Sequence, residues 1–578
     1  MWGRNWREEI WAQLDRPWDL IIVGGGITGA GILREAARLG LRALLVDQRD
    51  FGWGTSSRSS KLVHGGLRYL ATGQLGLTWA SVREREQLLQ DGPGLIEPIG
   101  FLLATYKGDH PGRWTYAAGL SLYDLMAWRW SHRHYSADEL RMLAPYIIQD
   151  RLGGGFRYED AQTDDARLTL RVIREGVADG GVAINYVSAS ELLRENGEVV
   201  GVRLRDEVSG RAADAHARIV INATGAWADR LRGQIGAEAM IRPLRGSHLI
   251  FSSWRLPLAQ AVSFLHPVDR RPVFAFPWEG VTLVGTTDLD HDTPLDIEPR
   301  ISPEEVAYLM AAVEYQFPSR GLTLDDVIAT LAGVRPVIGS GKDDPSKESR
   351  EHVVWQEHGL LTVTGGKLTT FRLIALDVLK AARERLPDLP LPPDKQPVFA
   401  PVDQNLPQSV PLNQAMRRRL FGRYGADVPA LIAAAQPGEL AAIPGTLLSW
   451  AELRWAARDE GVVHLDDLLL RRVRLGLLLF KGGAALLSQI RVICQPELGW
   501  DDARWEAEVA AYHELWQDHY SLPERTAIPN WRAQRRETGI KPQEKTERHV
   551  LQWGGLFAGI LLFFVWLRRR RDDVSAPA

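Results

Sequence analysis

Cysteine is nearly absent from this chain: Cys494 is the single one in 578 residues. One thiol excludes an intramolecular disulfide framework, a cysteine zinc site and an iron–sulfur cluster, and it suits a reducing compartment. Charge of one sign is not in excess either. With 69 Lys and Arg against 72 Asp and Glu the formal net charge is −3, so no basic surface advertises nucleic acid, and no nucleic-acid role is expected. Met1 to Pro17 lacks an apolar core and carries charges throughout, which excludes a secretory signal there. No internal repeat is visible. What the chain does have is length, enough for two or three domains around a large core.

The most informative stretch runs from Asp19 to Asp47, WDLIIVGGGITGAGILREAARLGLRALLVD with its preceding Trp18. Leu20 to Val23 is a short apolar run with β-branched residues and reads as a buried strand. Gly24, Gly26 and Gly29 then form G-x-G-x-x-G. The first turns the chain, the second admits a pyrophosphate close to the backbone, and the third lets helix and strand pack closely. Ile27 to Leu39 reads as a helix whose N-terminal N–H groups attract phosphate, with Gly25, Ile27 and Thr28 beside it. Ala43 to Val46 reads as the second strand, and Asp47 ends it where a carboxylate accepts hydrogen bonds from an adenosine ribose. FAD and NAD both use this unit, and the fingerprint does not separate them.

After Asp47 comes FGWGTSSRSSKLVHGGLRYL, Phe51 to Leu70, dense in small hydroxyls, glycines and cations. Thr55, Ser56 and Ser57 can donate to phosphates or cap a helix, and Ser59, Ser60 and Lys61 can continue along a cofactor. GGGITGAG followed by TSSRSSKLVHGGLRYL resembles the FAD-dependent glycerol-3-phosphate dehydrogenases, part of a wider flavoprotein group that includes the D-amino acid oxidases. The resemblance implies FAD as cofactor, and it places His64, Arg68 and Tyr69 on active-site positions. It continues in order over most of the chain. GFRYEDAQTDDARL from Gly155 is similar to a segment linking flavin and substrate regions, and Ala223, Thr224 and Gly225 resemble a second turn that contacts the cofactor.

Val182 to Val187, Val199 to Leu204 and Arg218 to Asn222 read as strands, the first two separated by the Asn196-Gly197 turn. Arg242 to Phe251 and Pro272 to Asp288 alternate as an antiparallel sheet does, which in the family walls the flavin ring. LHPVDRR, Leu265 to Arg271, departs from the asparagine-bearing form expected in some members, so no substrate contact is assigned there. Gly365 and Gly366, then Lys367, Leu368, Thr369 and Thr370, open a second helix suited to anionic groups, and the resemblance aims it at the flavin.

The fold class expected is mixed α/β and α+β: a Rossmann-type FAD-binding domain interleaved with an antiparallel-sheet substrate domain over residues 18–395, a proline-rich linker over 396–411, and a helical C-terminal domain over 412–525. In that domain DDLLLRRVRLGL, Asp466 to Leu477, carries arginines that read as surface and structural. Beyond a basic linker at 526–549, Val550 to Leu567 is apolar apart from Gln552 and ends in four arginines. As a helix it would span about 27 Å, near the ~30 Å hydrocarbon thickness, so a C-terminal membrane helix is expected. At the other end, residues 1–17 place Trp2, Trp6, Ile10 and Leu14 on one helical face. That face suits either a membrane interface or the protein's own body.

The implied reaction oxidises the C2 alcohol of glycerol 3-phosphate with hydride transfer to flavin N5. The candidate base is His64, assisted by Arg335, and a dianionic substrate needs cations, for which Arg68, Arg335, Arg350 and Lys367 are candidates with Tyr69. A membrane quinone is the expected electron acceptor, at the cytoplasmic face of the inner (plasma) membrane, with the lipid bilayer as partner and homo-oligomer formation left open. Three alternatives stand beside this reading: a glycerol-3-phosphate oxidase using O2, a related flavoenzyme acting on a 2-hydroxy acid or amine, and a non-catalytic FAD-fold membrane scaffold. No metal ligand set is expected.

Overall fold

The computed structural model describes residues 2–3, 5–71, 73–108, 112–339, 351–390, 396–407 and 409–532, with the side chains of Arg68 and Ala71 outside that set. Its first layer grows from the unit read at the N-terminus. Strand Trp18–Val23 has four fully apolar positions in a row, and it pairs in parallel with Ala43–Val46 on one side and with Ala212–Asn222 on the other. Val182–Ile184 extends the sheet beyond Ala43–Val46, and Leu360–Thr364 extends it beyond Ala212–Asn222, both in parallel. Continuous apolar strands of this kind need cover on both faces. Helix Ile27–Arg38 supplies it, buried on almost every side against Phe371 and Ala375 of helix Phe371–Ala382 and against helix Asp165–Ala178. The close fit explains the third glycine: a Cβ on Gly29 would lie 1.9 Å from the Gly24 carbonyl oxygen.

A second, ten-stranded sheet stands beside the first. Strands Ile241–Ser252, Val281–Gly285, Pro272–Trp278 and Ala261–Leu265 run antiparallel in that order, and Ala261–Leu265 then pairs in parallel with Ile96–Tyr106. Val327–Ile338 lies along Ile241–Ser252 and sets Arg335 opposite Leu244. The Asn196-Gly197 turn forms with both residues at positive φ, as the hairpin requires. The strand before it is Val187–Glu195, however, while Val182–Ile184 belongs to the parallel sheet. A local turn signal identified the hairpin, but the apolar run before it was divided between two strands.

The N-terminal segment packs on the protein itself. Trp2 is buried against Phe51 and its Nε1–H donates to the Ala183 carbonyl at 3.2 Å, while Arg7 pairs with Asp206 at 2.6 Å. The proline-rich stretch is also docked: Val398 and Phe399 are buried, and the Val398 and Ala400 N–H groups donate to Asp91 and Glu175.

Beyond it the chain is helical, with Gln414–Tyr424, Val428–Ala434, Trp450–Asp459, Leu487–Leu498 and Asp502–His519 as its principal helices. The expectation that its arginines lie at the surface is overturned. Arg471, Arg472 and Arg474 are buried against the first sheet's loops, and Arg167 meets Glu460 across the same junction in a two-pronged pair at 2.6 and 2.9 Å. Burial opposes charge on Asp50, yet Arg472 and Arg471 hold its carboxyl down to about 2. Among the described residues no helix is long and apolar enough to cross a membrane. The expected membrane helix at 550–567 lies outside the described residues.

Removing one partner of a buried pair strands the other charge. Arg167→Met is therefore expected to lower unfolding stability by about 3–5 kcal/mol, read as a lower urea midpoint. A midpoint equal to the parent protein's would show that the Arg167–Glu460 pair contributes nothing net.

Candidate active site

The turn after the first strand opens a cavity of about 400 Å³. Gly24, Gly26, Ile27 and Thr28 line it from the helix start, Asp47 from the second strand, Thr55, Ser56 and Ser59 from the following loop, and Ala223, Thr224 and Gly225 from the end of Ala212–Asn222. Gly366, Lys367 and Leu368 close its far side. Local bonds hold these elements in place. The Ile27 N–H donates to Ser56 Oγ at 2.9 Å, so a hydroxyl from the loop satisfies one orphan donor of the helix. Thr224 Oγ1–H donates to Asn222 Oδ1 at 2.7 Å, and the Asn222 amide donates to the Ala228 carbonyl at 2.9 Å.

Asp47 lines this cavity just past the end of the second strand. Its carboxylate accepts the Gly25 N–H at 2.7 Å and the Arg49 N–H at 2.9 Å. Removal from water pushes its pKa up to about 7, against the pull of those two donors. A carboxylate poised between charge states, with further acceptor capacity toward the cavity, suits a diol donor.

A second cavity of about 500 Å³ adjoins the first, and Thr55, Ser59, Pro336, Gly366, Lys367 and Leu368 line both. It gathers His64 and Tyr69 from one segment, Arg335 from strand Val327–Ile338, Arg270 and Arg271 from the hairpin before Pro272–Trp278, and Asp160 and Asp288. His64 is fixed through its backbone. Its carbonyl accepts the Thr369 hydroxyl at 3.2 Å, and the next N–H, of Gly65, donates to Asp160 at 3.0 Å. Asp160 in turn accepts from Arg85 at 2.7 Å and from Tyr123 at 3.0 Å. Gly65 has to be glycine, because a Cβ there would lie 2.3 Å from the Tyr123 hydroxyl.

Arg335 pairs with Asp288 at 3.0 Å and donates to Thr286 Oγ1 at 3.0 Å. Lys367 sends its ammonium to Ser81 Oγ at 3.2 Å and lies 3.7 Å from the Tyr69 ring centre. Four cationic side chains thus face the second cavity against two carboxylates, among the described residues. Behind them His248 stays neutral: burial, then the charges of Arg335 and Lys61, push it down to about 3, while its Nε2 shares a hydrogen bond with Ser60 at 2.9 Å.

Several candidates are placed differently from expectation. Lys61 does not face the cofactor cavity. It is fully buried, its ammonium 2.8 Å from Asp165, and burial and then Arg474 push its pKa down to about 8. Ser57 is buried too, with its carbonyl accepting from Lys61 and Arg474. Gly25, Gly29 and Thr369 shape the turns behind the cavities instead of lining them. Arg350 and the Arg68 side chain lie outside the described residues. Conversely, LHPVDRR, to which no contact was assigned, brings Leu265, Arg270 and Arg271 to the second cavity. Two arginines closing a hairpin in a sheet expected to wall the site were the available signal.

The fold and the paired cavities define a dinucleotide-dependent oxidoreductase with a separate substrate wall. Comparison sharpens the class. Residues 19–372 match the FAD dependent oxidoreductase family, and residues 399–505 match the C-terminal domain of alpha-glycerophosphate oxidase. The chain belongs to the FAD-dependent oxidoreductase family, and FAD is its cofactor. The aerobic glycerol-3-phosphate dehydrogenase of Bacillus subtilis (strain 168) is 40% identical over 377 residues, 64% of this chain and 68% of that one. The protein of the same name from Staphylococcus aureus (strain USA300) is 34% identical over 498 residues, 81% of this chain and 88% of that one. The solved glycerol-3-phosphate dehydrogenase from Bacillus halodurans, complexed with FAD, is similar with a TM-score of 0.72 at 28% identity, covering 89% and 98% of the two chains. The residues present fit that cofactor: a glycine turn and helix start for pyrophosphate, and the poised Asp47 for ribose.

Because Asp47 has a folded pKa above the ordinary carboxylate value, the cofactor-free protein is favoured while the group is neutral. It loses that advantage as pH rises from the ordinary range through about 7. Asp47→Asn is expected to flatten the fall in urea midpoint between pH 5 and pH 8 in the cofactor-free protein and to weaken FAD binding. An unchanged pH slope would show that the buried carboxyl is not the group responsible.

Proposed function

We propose that this flavoenzyme oxidises sn-glycerol 3-phosphate to dihydroxyacetone phosphate, with the two electrons passing on to a membrane quinone. FAD supplies the acceptor for the C2 hydride at N5. The observation that carries the reading is the cationic second cavity, which Arg270, Arg271, Arg335 and Lys367 line together with His64. A phosphate dianion needs several cations, and arginine's planar fork meets two of its oxygens at once. Asp288, paired with Arg335 and 3.4 Å from Arg271, tempers the excess and keeps those forks in place. His64 takes the C2 hydroxyl proton on its imidazole, which is suited to accept near neutral pH. Arg335 stabilises the negative charge that develops on that oxygen. The relatives' names, aerobic glycerol-3-phosphate dehydrogenase, support the substrate.

The quinone, the bilayer and the cytoplasmic face of the inner (plasma) membrane rest on sequence, on the apolar run from Val550 to Leu567. Oxygen as acceptor is the second reading, favoured by the likeness of residues 399–505 to the C-terminal domain of alpha-glycerophosphate oxidase.

Mixing the purified flavoprotein with glycerol 3-phosphate under anaerobic conditions is expected to bleach the flavin, whereas lactate, 2-hydroxyglutarate and amino acids leave it oxidised. His64→Asn is expected to keep FAD and to slow the bleaching by about 10²- to 10⁴-fold, the usual share of a general base. Bleaching by one of the other substrates alone would end the assignment. Peroxide release in air measured against quinone reduction separates the two acceptors. Deletion after His549 is expected to leave bleaching intact and move the protein from the membrane fraction to the supernatant. Continued sedimentation with membranes would place attachment elsewhere.

A further inference from the structure

The loop from Asp50 to Lys61 forms one wall of the FAD cavity through Gly52, Trp53, Gly54, Thr55, Ser56 and Ser59. Thr55 and Ser59 carry that wall on into the substrate cavity. Phe51 and Trp53 are buried near its start, but Gly54 and the small hydroxyls up to Ser60 have little apolar surface with which to hold themselves in place. The loop's anchors include buried charges, several of them from the far end of the chain.

At the start of the loop, the Asp50 carboxylate accepts from Arg471 at 2.6 Å and from both terminal nitrogens of Arg472 at 2.7 Å. In the middle, Trp53 and Arg58 donate to Glu298 at 3.2 and 2.6 Å, and the Tyr520 hydroxyl donates to the same carboxylate. At the end, one terminal nitrogen of Arg474 donates to the Ser57 carbonyl at 2.8 Å and to Asp165 at 3.0 Å. Asp165 also accepts from the Ser59 N–H and hydroxyl at 2.8 Å each and from Lys61. One four-residue stretch, Arg471 to Arg474, therefore grips both ends of the wall, and Tyr520 braces its centre. None of Arg471, Arg472, Arg474 and Tyr520 lines either cavity.

We propose that the C-terminal helical unit is a cofactor-retention brace: Arg471, Arg472, Arg474 and Tyr520 are positioning residues that set the Asp50–Lys61 loop against FAD. Bonds of this kind fix where the loop sits at the cost of arginines that have to be desolvated, and that cost is met only while the helical unit is docked. FAD affinity then depends on side chains that never touch it. The inference rests on FAD in the first cavity and not on which alcohol is oxidised, so failure of the substrate assignment leaves it standing.

The test measures FAD dissociation from the full-length protein by flavin fluorescence, together with the rise in melting temperature on adding FAD. Arg474→Ala and Arg472→Ala are expected to weaken FAD binding at least about tenfold, the order set by loss of a charge-assisted hydrogen bond, and to shrink the FAD-induced rise in melting temperature. The comparison variant is Arg454→Ala. Arg454 pairs with Glu439 and Glu497 at 2.6 Å within the helical unit and has no bond to the loop. It is expected to melt earlier while binding FAD with parental affinity. Tyr520→Phe deletes a single hydroxyl and guards against arginine variants that fail to fold. It is expected to weaken FAD binding about threefold with little change in the cofactor-free melting temperature, a fraction of one charged bond. Parental FAD affinity in Arg474→Ala, Arg472→Ala or Tyr520→Phe would overturn the proposal, as would equal weakening in Arg454→Ala.

Discussion

Arginine buried between two folding units is the constraint on which the rest of this structure depends. Taking a guanidinium out of water costs several kcal/mol, and only a close, well-aimed carboxylate offsets it. Arg167, Arg423, Arg471, Arg472 and Arg474 are all at most 2% exposed, and each meets a carboxylate across or beside the junction: Glu460, Asp164, Asp50 or Asp165. Apolar faces tolerate sliding, but a row of forked ion pairs does not. The helical unit consequently has one favourable way to dock, and docking in that way fixes the loops that face the cofactor.

The same logic of distant parts meeting governs the second cavity. Its cations come from a strand edge, a hairpin and the turn before a helix, and its histidine comes from the segment after the cofactor loop. Neighbours hold them in place: Asp288 and Thr286 of the same wall hold Arg335, Ser81 behind it holds Lys367, and Thr369 and, through Gly65, Asp160 hold the His64 backbone. Preorganised charge of this kind costs nothing at the moment of reaction, because the reorganisation is complete before substrate arrives. The neutral His248 behind the wall belongs to the same scheme, since burial next to Arg335 and Lys61 denies it a proton.

The first β-α-β unit was readable residue by residue. Its glycines, apolar strand and terminal Asp47 are separated by fixed local distances, and the helix and strands form where those distances place them. Thr55, Ser56, Ser59, Ala223, Thr224 and Gly225 likewise line the cavity expected for them. Lys61 and Ser57 did not follow. A lysine among serines beside the glycine turn reads as continuing along the cofactor, but Asp165 arrives from a strand-to-helix corner far along the chain and draws it inward. Arg270 and Arg271 went unassigned because a departure from an expected motif says nothing about where a hairpin tip will point. The arginines after Asp466 read as surface residues because their partners lie hundreds of positions earlier.

Chain-local physics settles the nucleotide unit, the helical character beyond residue 412 and the Asn196-Gly197 turn, since each depends on backbone preference and on spacing within a few turns or strands. Which charges are buried, which hairpin closes the substrate wall, and which four residues of the C-terminal unit hold the cofactor loop are matters of long-range encounter. They depend on desolvation being offset by a partner whose distance in sequence carries no information, and so they become defined only when the sheets and the helical unit have packed together.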